Sequence, residues 1–253
     1  SALGGVFLAY GLGRALWGPG PGMLGALVLA SSAGYVALGR ILTLDMTFAL
    51  CLNLGIGLGY LALSRGQDRL WIWAYLALAL AVLIKGPVAL VLAGLAWGIW
   101  AMVSRQALRP LIQIRCWVLL AAITLPWFVY VQWRHPEFFR FFILEQHLGR
   151  FLTPAIHPEP LLYYVPVLLG LLLPWIWLLP WTLGHGGQWR DPDYRFLVIW
   201  AAVIVVFFSL SRGKLAPYIL PALLPLALVV GHGLARLTGV GRMFFNSRLL
   251  KTS

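Results

Sequence analysis

The sequence predicts an all-α, polytopic integral membrane protein, and three observations carry that reading. Of its 253 residues, 61% are hydrophobic and only 10% are charged, with a mean hydropathy of +0.88, a composition outside the range of soluble globular domains. The apolar residues form continuous runs rather than alternating with polar ones, which excludes a transmembrane β-barrel and leaves helices. The ionisable residues fall almost entirely between those runs, as they must when the runs lie in hydrocarbon.

Nine apolar stretches are counted, at residues 2–17, 23–38, 46–63, 70–84, 88–103, 116–132, 162–183, 196–210 and 218–235. Several fall short of the ~20 residues of a perpendicular span, so helices are expected to run on into the interface or to tilt. The Gly-Pro-Gly-Pro-Gly run at 18–22 reads as a tight turn. Gly55, Gly57 and Gly59 form a small-residue stripe that lets a neighbouring helix approach closely, which is packing and not a nucleotide loop. The two cysteines, Cys51 and Cys116, sit at different depths in different spans, so no disulfide is expected.

A net charge of +12 on a soluble chain points to nucleic acid. Here the basic residues sit between spans and report sidedness, so the expected partners are membrane lipids and no nucleic acid. Twelve of the 19 Lys and Arg residues fall on one side and seven on the other, and the richer side is expected to be cytoplasmic. The outer side then receives the segment around Arg40 to Asp45, the turn at Lys85, the long loop 134–161 and the segment from Ser211 to Pro217. The same assignment puts Ser1 outside, so an upstream span is expected and the chain reads as an internal piece of a longer protein.

Four helix ends thus carry ionisable groups to one face. Asp45, in LTLDMTF, is a lone carboxylate at the mouth of a span; its plain role is to pair with Arg40 or to cap a helix beginning at Met46. Lys85, in AVLIKGPVAL, is a lone cation before a Gly-Pro break, placed to hold a phosphate or carboxylate, or simply snorkelling from an ordinary turn. Arg212, Lys214 and Tyr218 form a third group. In the loop 134–161, Phe138, Phe139, Phe141, Phe142, Ile143 and Leu144 are interrupted by Arg140, Glu145 and His147, a pattern suited to an amphipathic helix at the membrane surface. Glu145 with His147, and His157 with Glu159, offer zinc-type ligands, although a spacing of two does not put each pair on one helix face. A lipid phosphate is the natural guest for Lys85, Arg150, Arg212 and Lys214.

At this point the residues carry a resemblance. The ordered set LTLDMTFAL, AVLIKGPVALVL, PEFFRFFILEQHLGRFLTP, LLYYVPVLLGLLLPWIWLLP and FFSLSRGKLAPYILPALLPLAL resembles the dolichyl-phosphate-mannose protein mannosyltransferase family, in particular its lipid-A aminoarabinose transferase-like bacterial branch. The resemblance runs over residues 3–235, and FFILEQHLGRF and SRGKLAPYILP are its most specific parts.

The resemblance implies a GT-C helical bundle over residues 1–238, with 134–161 as its extracytoplasmic loop and 239–253 as a short tail outside the family pattern. It implies a multi-pass protein of the bacterial inner membrane with a periplasmic active face, moving a sugar from an undecaprenyl-phosphate-type carrier to lipid A or another cell-envelope acceptor. Position by position it gives Asp45 a catalytic, pocket-organising role, makes Lys85, Arg150, Lys214 and Tyr218 substrate-binding residues, and makes His147 a ligand for zinc or another divalent metal. It also implies that a first span, an acidic catalytic loop and a Glu-Lys-Pro-Pro-like segment precede Ser1, so that the piece in hand is inactive alone. The competing reading is a non-enzymatic polyprenyl-phosphate translocase or accessory protein with the same headgroup pocket; an oligosaccharide ligase is a further alternative within the enzymes. The collection of charges on one face, with only Asn53 and scattered hydroxyls deep in the spans, favours one-sided chemistry over alternating access.

Overall fold

The computed structural model describes residues 1–107, 112–142 and 159–239. Among the described residues eleven α-helices follow one another: α1 (Ala2–Trp17), α2 (Pro19–Ser31), α3 (Ala33–Arg40), α4 (Leu44–Arg65), α5 (Arg69–Lys85), α6 (Val88–Val103), α7 (Ile114–Arg134), α8 (Tyr164–Leu171), α9 (Leu178–Gly184), α10 (Pro192–Leu210) and α11 (Leu223–Leu237). Single 3₁₀ turns lead into α8, α9 and α10, and a longer 3₁₀ segment, Ala216–Ala222, leads into α11. No β-strand occurs among the described residues. Among the described residues four unbroken segments are long and apolar enough to cross a membrane: α4, α7, α10 and the unit Ala216–Leu237.

Two of the expected spans are broken rather than continuous. The stretch 23–38 bends by 60° between α2 and α3, and the stretch 162–183 bends by 115° between α8 and α9. The first break falls at Ser31 and Ser32, whose hydroxyls donate back to the carbonyls of Leu27 and Val28, each at 2.6 Å, a local bond that competes with the helical ladder. The second falls at Pro174, which has no N–H to continue the ladder. The two breaks satisfy each other: Ala33 N–H donates to the Leu173 carbonyl at 2.8 Å and Trp175 Nε1 to Ser31 Oγ at 2.9 Å. Backbone freed inside a membrane persists only when protein groups take it up in this way.

In lipid, apolar burial drives helices together only weakly, so association depends on close packing at small residues. Here, among the described glycines, the closest approach of backbone to backbone joins α2 to α11, where a Cβ on Gly231 would lie 2.3 Å from the backbone nitrogen of Gly25. The α1–α2 hairpin closes similarly, since a Cβ on Gly13 would lie 2.7 Å from Gly22 Cα. The glycine stripe of α4 serves three neighbours rather than one: Gly55 receives Leu78 of α5, Gly57 receives Leu12 of α1 and Gly59 receives Trp97 of α6. The unit Ala216–Leu237 is the core of the bundle, 89% buried over its apolar window, whereas α7 is only 17% buried and turns Trp117, Trp127, Tyr130 and Trp133 outward.

Because α5 and α10 both run antiparallel to α4, one end of the bundle collects the start of α4, the end of α5 and the segment after α10. The opposite end collects the end of α4 and the start of α10. These are called below the Asp45 end and the Arg65 end.

Candidate functional site

At the Asp45 end, α4 begins at Leu44 with Thr43 in the N-cap position. Asp45 therefore does not cap a helix starting at Met46; it sits inside the first turn, where the helix dipole favours a carboxylate. Nor does it pair with Arg40, which is exposed. Its partner is Lys85, the last residue of α5, whose Nζ is ion-paired to Asp45 Oδ1. Both side chains are only partly exposed, 26% for Lys85 and 21% for Asp45, so solvent screens the pair less than it would on an open surface.

Two rings flank Lys85. Its Nζ lies 4.6 Å from the ring centroid of Tyr218 and 5.2 Å from that of Phe48, within the range where a ring face attracts a cation. Phe48, one turn along α4 from Asp45, is buried. Tyr218 is carried by the 3₁₀ segment Ala216–Ala222 and is backed by Phe208 of α10 at 5.2 Å between centroids. The orientation of Lys85 depends on Gly86, whose φ of +88° and ψ of −167° belong to a region only glycine enters readily. This lets the chain turn from α5 into α6 across two residues.

Lys214 lies four residues before Tyr218. It is buried, at 5% exposure, and its Nζ donates to the Glu159 carbonyl at 2.9 Å. Among the described residues no carboxylate pairs with it. The contrast with Lys85 is chemical. The charge of Lys85 is already balanced by Asp45, whereas Lys214 is buried with only a carbonyl as partner among the described residues, a setting that favours an incoming anion. Tyr164, at the start of α8, donates its hydroxyl to the Leu215 carbonyl at 3.1 Å and so ties this segment to the rest of the bundle. Arg212 is exposed.

Of the residues expected at this end, the structure brings Asp45, Lys85 and Tyr218 into contact, with Lys214 four residues before Tyr218 on the same segment. His147 and Arg150 lie outside the described residues, as does the second half of the stretch read as an amphipathic helix. Of that stretch, Phe138 and Phe142 stack at 5.1 Å, and both rings contact Phe128 of α7. Among the described residues no group of three His, Cys, Asp or Glu side chains converges in a way that would hold a metal ion.

Sequence reasoning missed Phe48, which had no signal beyond being one more apolar residue in a span. It also missed a second polar cluster at the Arg65 end, where the Asp193 carboxylate accepts from Tyr60 Oη at 2.5 Å and from Arg65 at 2.9 Å. Consequential charges therefore sit at both ends of the bundle. The signal was present: Asp191 followed by Pro192 is a helix-start signature, and Asp191 does cap α10 by accepting from Asp193 N–H at 2.9 Å.

The bundle of apolar helices, two of its spans broken and docked on each other, with a polar site gathered at one end, defines a multi-pass membrane protein of the GT-C type. Residues 1–133 match the family model described as dolichyl-phosphate-mannose-protein mannosyltransferase, and the chain belongs to that family. Among its relatives is the undecaprenyl phosphate-alpha-4-amino-4-deoxy-L-arabinose arabinosyl transferase of Pseudomonas aeruginosa strain UCBPP-PA14, 36% identical over 93% of this chain. The transferase of the same name from Pseudomonas paraeruginosa is 37% identical over 91% of it. The crystal structure of ArnT from Cupriavidus metallidurans bound to undecaprenyl phosphate superposes with a TM-score of 0.81 at 30% identity, covering 93% of this chain. The chain spans 44% of the length of each of these three proteins.

Proposed function

We propose that the protein to which this chain belongs is a glycosyltransferase that moves a sugar, aminoarabinose or a hexose, from an undecaprenyl-phosphate-type carrier to an extracytoplasmic acceptor such as lipid A, at the periplasmic face of the bacterial inner membrane. The single observation that carries this reading is the division of labour between two lysines: Lys85 neutralised by Asp45, and Lys214 buried beside them without a carboxylate partner among the described residues. Such an arrangement has one seat for an anion and a separate, charge-balanced element that shapes it.

In the transfer, an acceptor oxygen attacks the anomeric carbon of the donor as the bond from that carbon to the carrier phosphate breaks. The bonding pair leaves with the polyprenyl phosphate. An acceptor phosphate attacks as an anion and needs no base, so the residues described here have two tasks: to stabilise the departing phosphate charge and to align the two reactants. Lys214 supplies the first, with Arg150 from the loop as a second cation. Asp45 supplies the second by fixing Lys85 against the Tyr218 ring, which holds the start of α4, the end of α5 and the lysine-bearing segment in one geometry. A divalent ion such as zinc held by His147 belongs to the same reading and is checked by the metal content of the purified protein with and without His147→Ala.

The test uses the full-length protein in nanodiscs, supplied with a panel of undecaprenyl-phosphate sugars and lipid A. Acceptor-dependent release of polyprenyl phosphate that collapses in Asp45→Ala and His147→Ala is the expected result. Tight carrier binding without turnover of any donor would instead favour a lipid-handling protein.

A further inference from the structure

Four consecutive residues at the Arg65 end, Asp191 to Tyr194, each hydrogen-bond to a different helix. The Asp191 carboxylate accepts from Trp17 Nε1 of α1 at 2.6 Å. The Pro192 carbonyl accepts from Trp100 Nε1 of α6 at 3.3 Å. Asp193 takes Tyr60 and Arg65 of α4, and Tyr194 donates its hydroxyl to the Thr182 carbonyl of α9 at 3.0 Å. The start of α10 is therefore a hub at which four other helices are registered.

Within the hub the α4 contact is distinctive. The Tyr60 ring lies flat on Phe196 of α10, 3.7 Å between centroids and 5° between planes, while the same Tyr60 and Arg65, more than a turn apart, hold one carboxylate. A stacked ring alone permits sliding; two directional bonds to one carboxylate fix rotation and height together. Burying a charge is a poor way to gain stability, because an apolar replacement of similar shape often serves as well, and register is the better-attested use of such a group.

The same two helices carry the other end of the molecule. Asp45 and Phe48 lie on α4, and α10 leads directly into the segment bearing Lys214 and Tyr218. From Tyr60 to Asp45 is about 22 Å of helix and from Asp193 to Leu210 about 26 Å, so a tilt of roughly 5° at the hub moves the far end by about 2 Å. We propose that Asp193 is a positioning residue: held by Tyr60 and Arg65 at one end, it fixes the register of α4 against α10 and thereby the separation of Asp45 from Tyr218 at the other. The kinetic part of this inference rests on the reading of the Asp45 end as the reactive end; the geometric part does not.

The test places spin labels at Leu42 and Leu215, both exposed, in the full-length protein in nanodiscs, and compares wild type, Asp193→Asn, Arg65→Lys and Leu197→Ala, the last a buried α10 residue outside the hub. Asp193→Asn is expected to shift or broaden the label distance by about 2 Å, in the range of known helix displacements, and to lower turnover about tenfold to a hundredfold, as misplacement by an ångström or so does. Arg65→Lys, which keeps the charge, should retain most of the wild-type distance, and Leu197→Ala should lower Tm without moving it. A label distance unchanged in Asp193→Asn, whatever its Tm, would overturn the proposal, and so would an equal shift in Leu197→Ala. If wild type transfers no sugar, the functional reading fails on its own while the distances still decide this one.

Discussion

Lys85 Nζ stands over the ring of Tyr218, 4.6 Å from its centroid, while the same nitrogen is ion-paired with Asp45. One side chain thus joins the end of α5, the start of α4 and the segment that follows α10. Removing either member of the ion pair leaves a partly buried charge, so Asp45→Asn and Lys85→Gln are each expected to lose about 1–3 kcal/mol of stability, less than for a fully buried pair. The double variant should lose less than the two losses added, and a double-mutant cycle by denaturation in detergent measures the difference. Strict additivity would show that the contact contributes nothing.

Lys214→Met separates binding from stability. Because the lysine is buried with only a carbonyl as partner among the described residues, replacing it with an unbranched apolar side chain removes a desolvated charge. Its Tm is expected to hold or rise. Affinity for a polyprenyl phosphate should fall tenfold to a hundredfold, the equivalent of about 1.5–3 kcal/mol for a charge-assisted contact. A fall in Tm with unchanged affinity would reassign Lys214 to structure.

Gly231→Ala should be among the costliest single-methyl additions in the chain. The new Cβ meets backbone atoms of Gly25, which cannot swing aside, so α2 and α11 must part at a cost of about 3 kcal/mol or more. Gly94→Ala, in α6 with open space around it, is the control, expected to be neutral or to gain up to about 1 kcal/mol from helix propensity. Thermal unfolding in one detergent compares them directly.

Gly86→Ala tests the turn that aims Lys85. A side chain at φ +88° and ψ −167° costs about 1–3 kcal/mol, and the strain is relieved only by moving the end of α5. Turnover in the full-length enzyme is therefore expected to drop further than that of Gly18→Ala, a comparable positive-φ glycine remote from the site. Equal losses in the two would mean that the turn matters for folding alone.

Much of the site was legible because ionisable residues in a membrane protein stand out against the apolar background. Asp45, Lys85 and Lys214 were visible for that reason, and Tyr218 because it recurs in the family pattern SRGKLAPYILP. What the sequence left open was partner choice. Arg40 is five residues from Asp45 and looked the nearer cation, yet the partner lies 40 residues away, because α4 and α5 pack antiparallel and bring their polar ends level. The broken spans escaped notice for a related reason: hydropathy does not register a bend, and Ser31, Ser32 and Pro174 mark one only when their freed backbone groups find takers on another helix.

The sequence by itself determined the class of the protein, the helical character of its spans and the residue types gathered at the Asp45 end, since each follows from transfer free energies and charge placement that act locally along the chain. Only the tertiary structure decided that Asp45 and Lys85 neutralise each other, that Lys214 is buried with no carboxylate partner among the described residues, and that Asp191 to Tyr194 draw four helices together. Those outcomes depend on helix register. In a bilayer, register is set by where glycine backbones touch and where buried polar groups find partners, neither of which a local pattern contains.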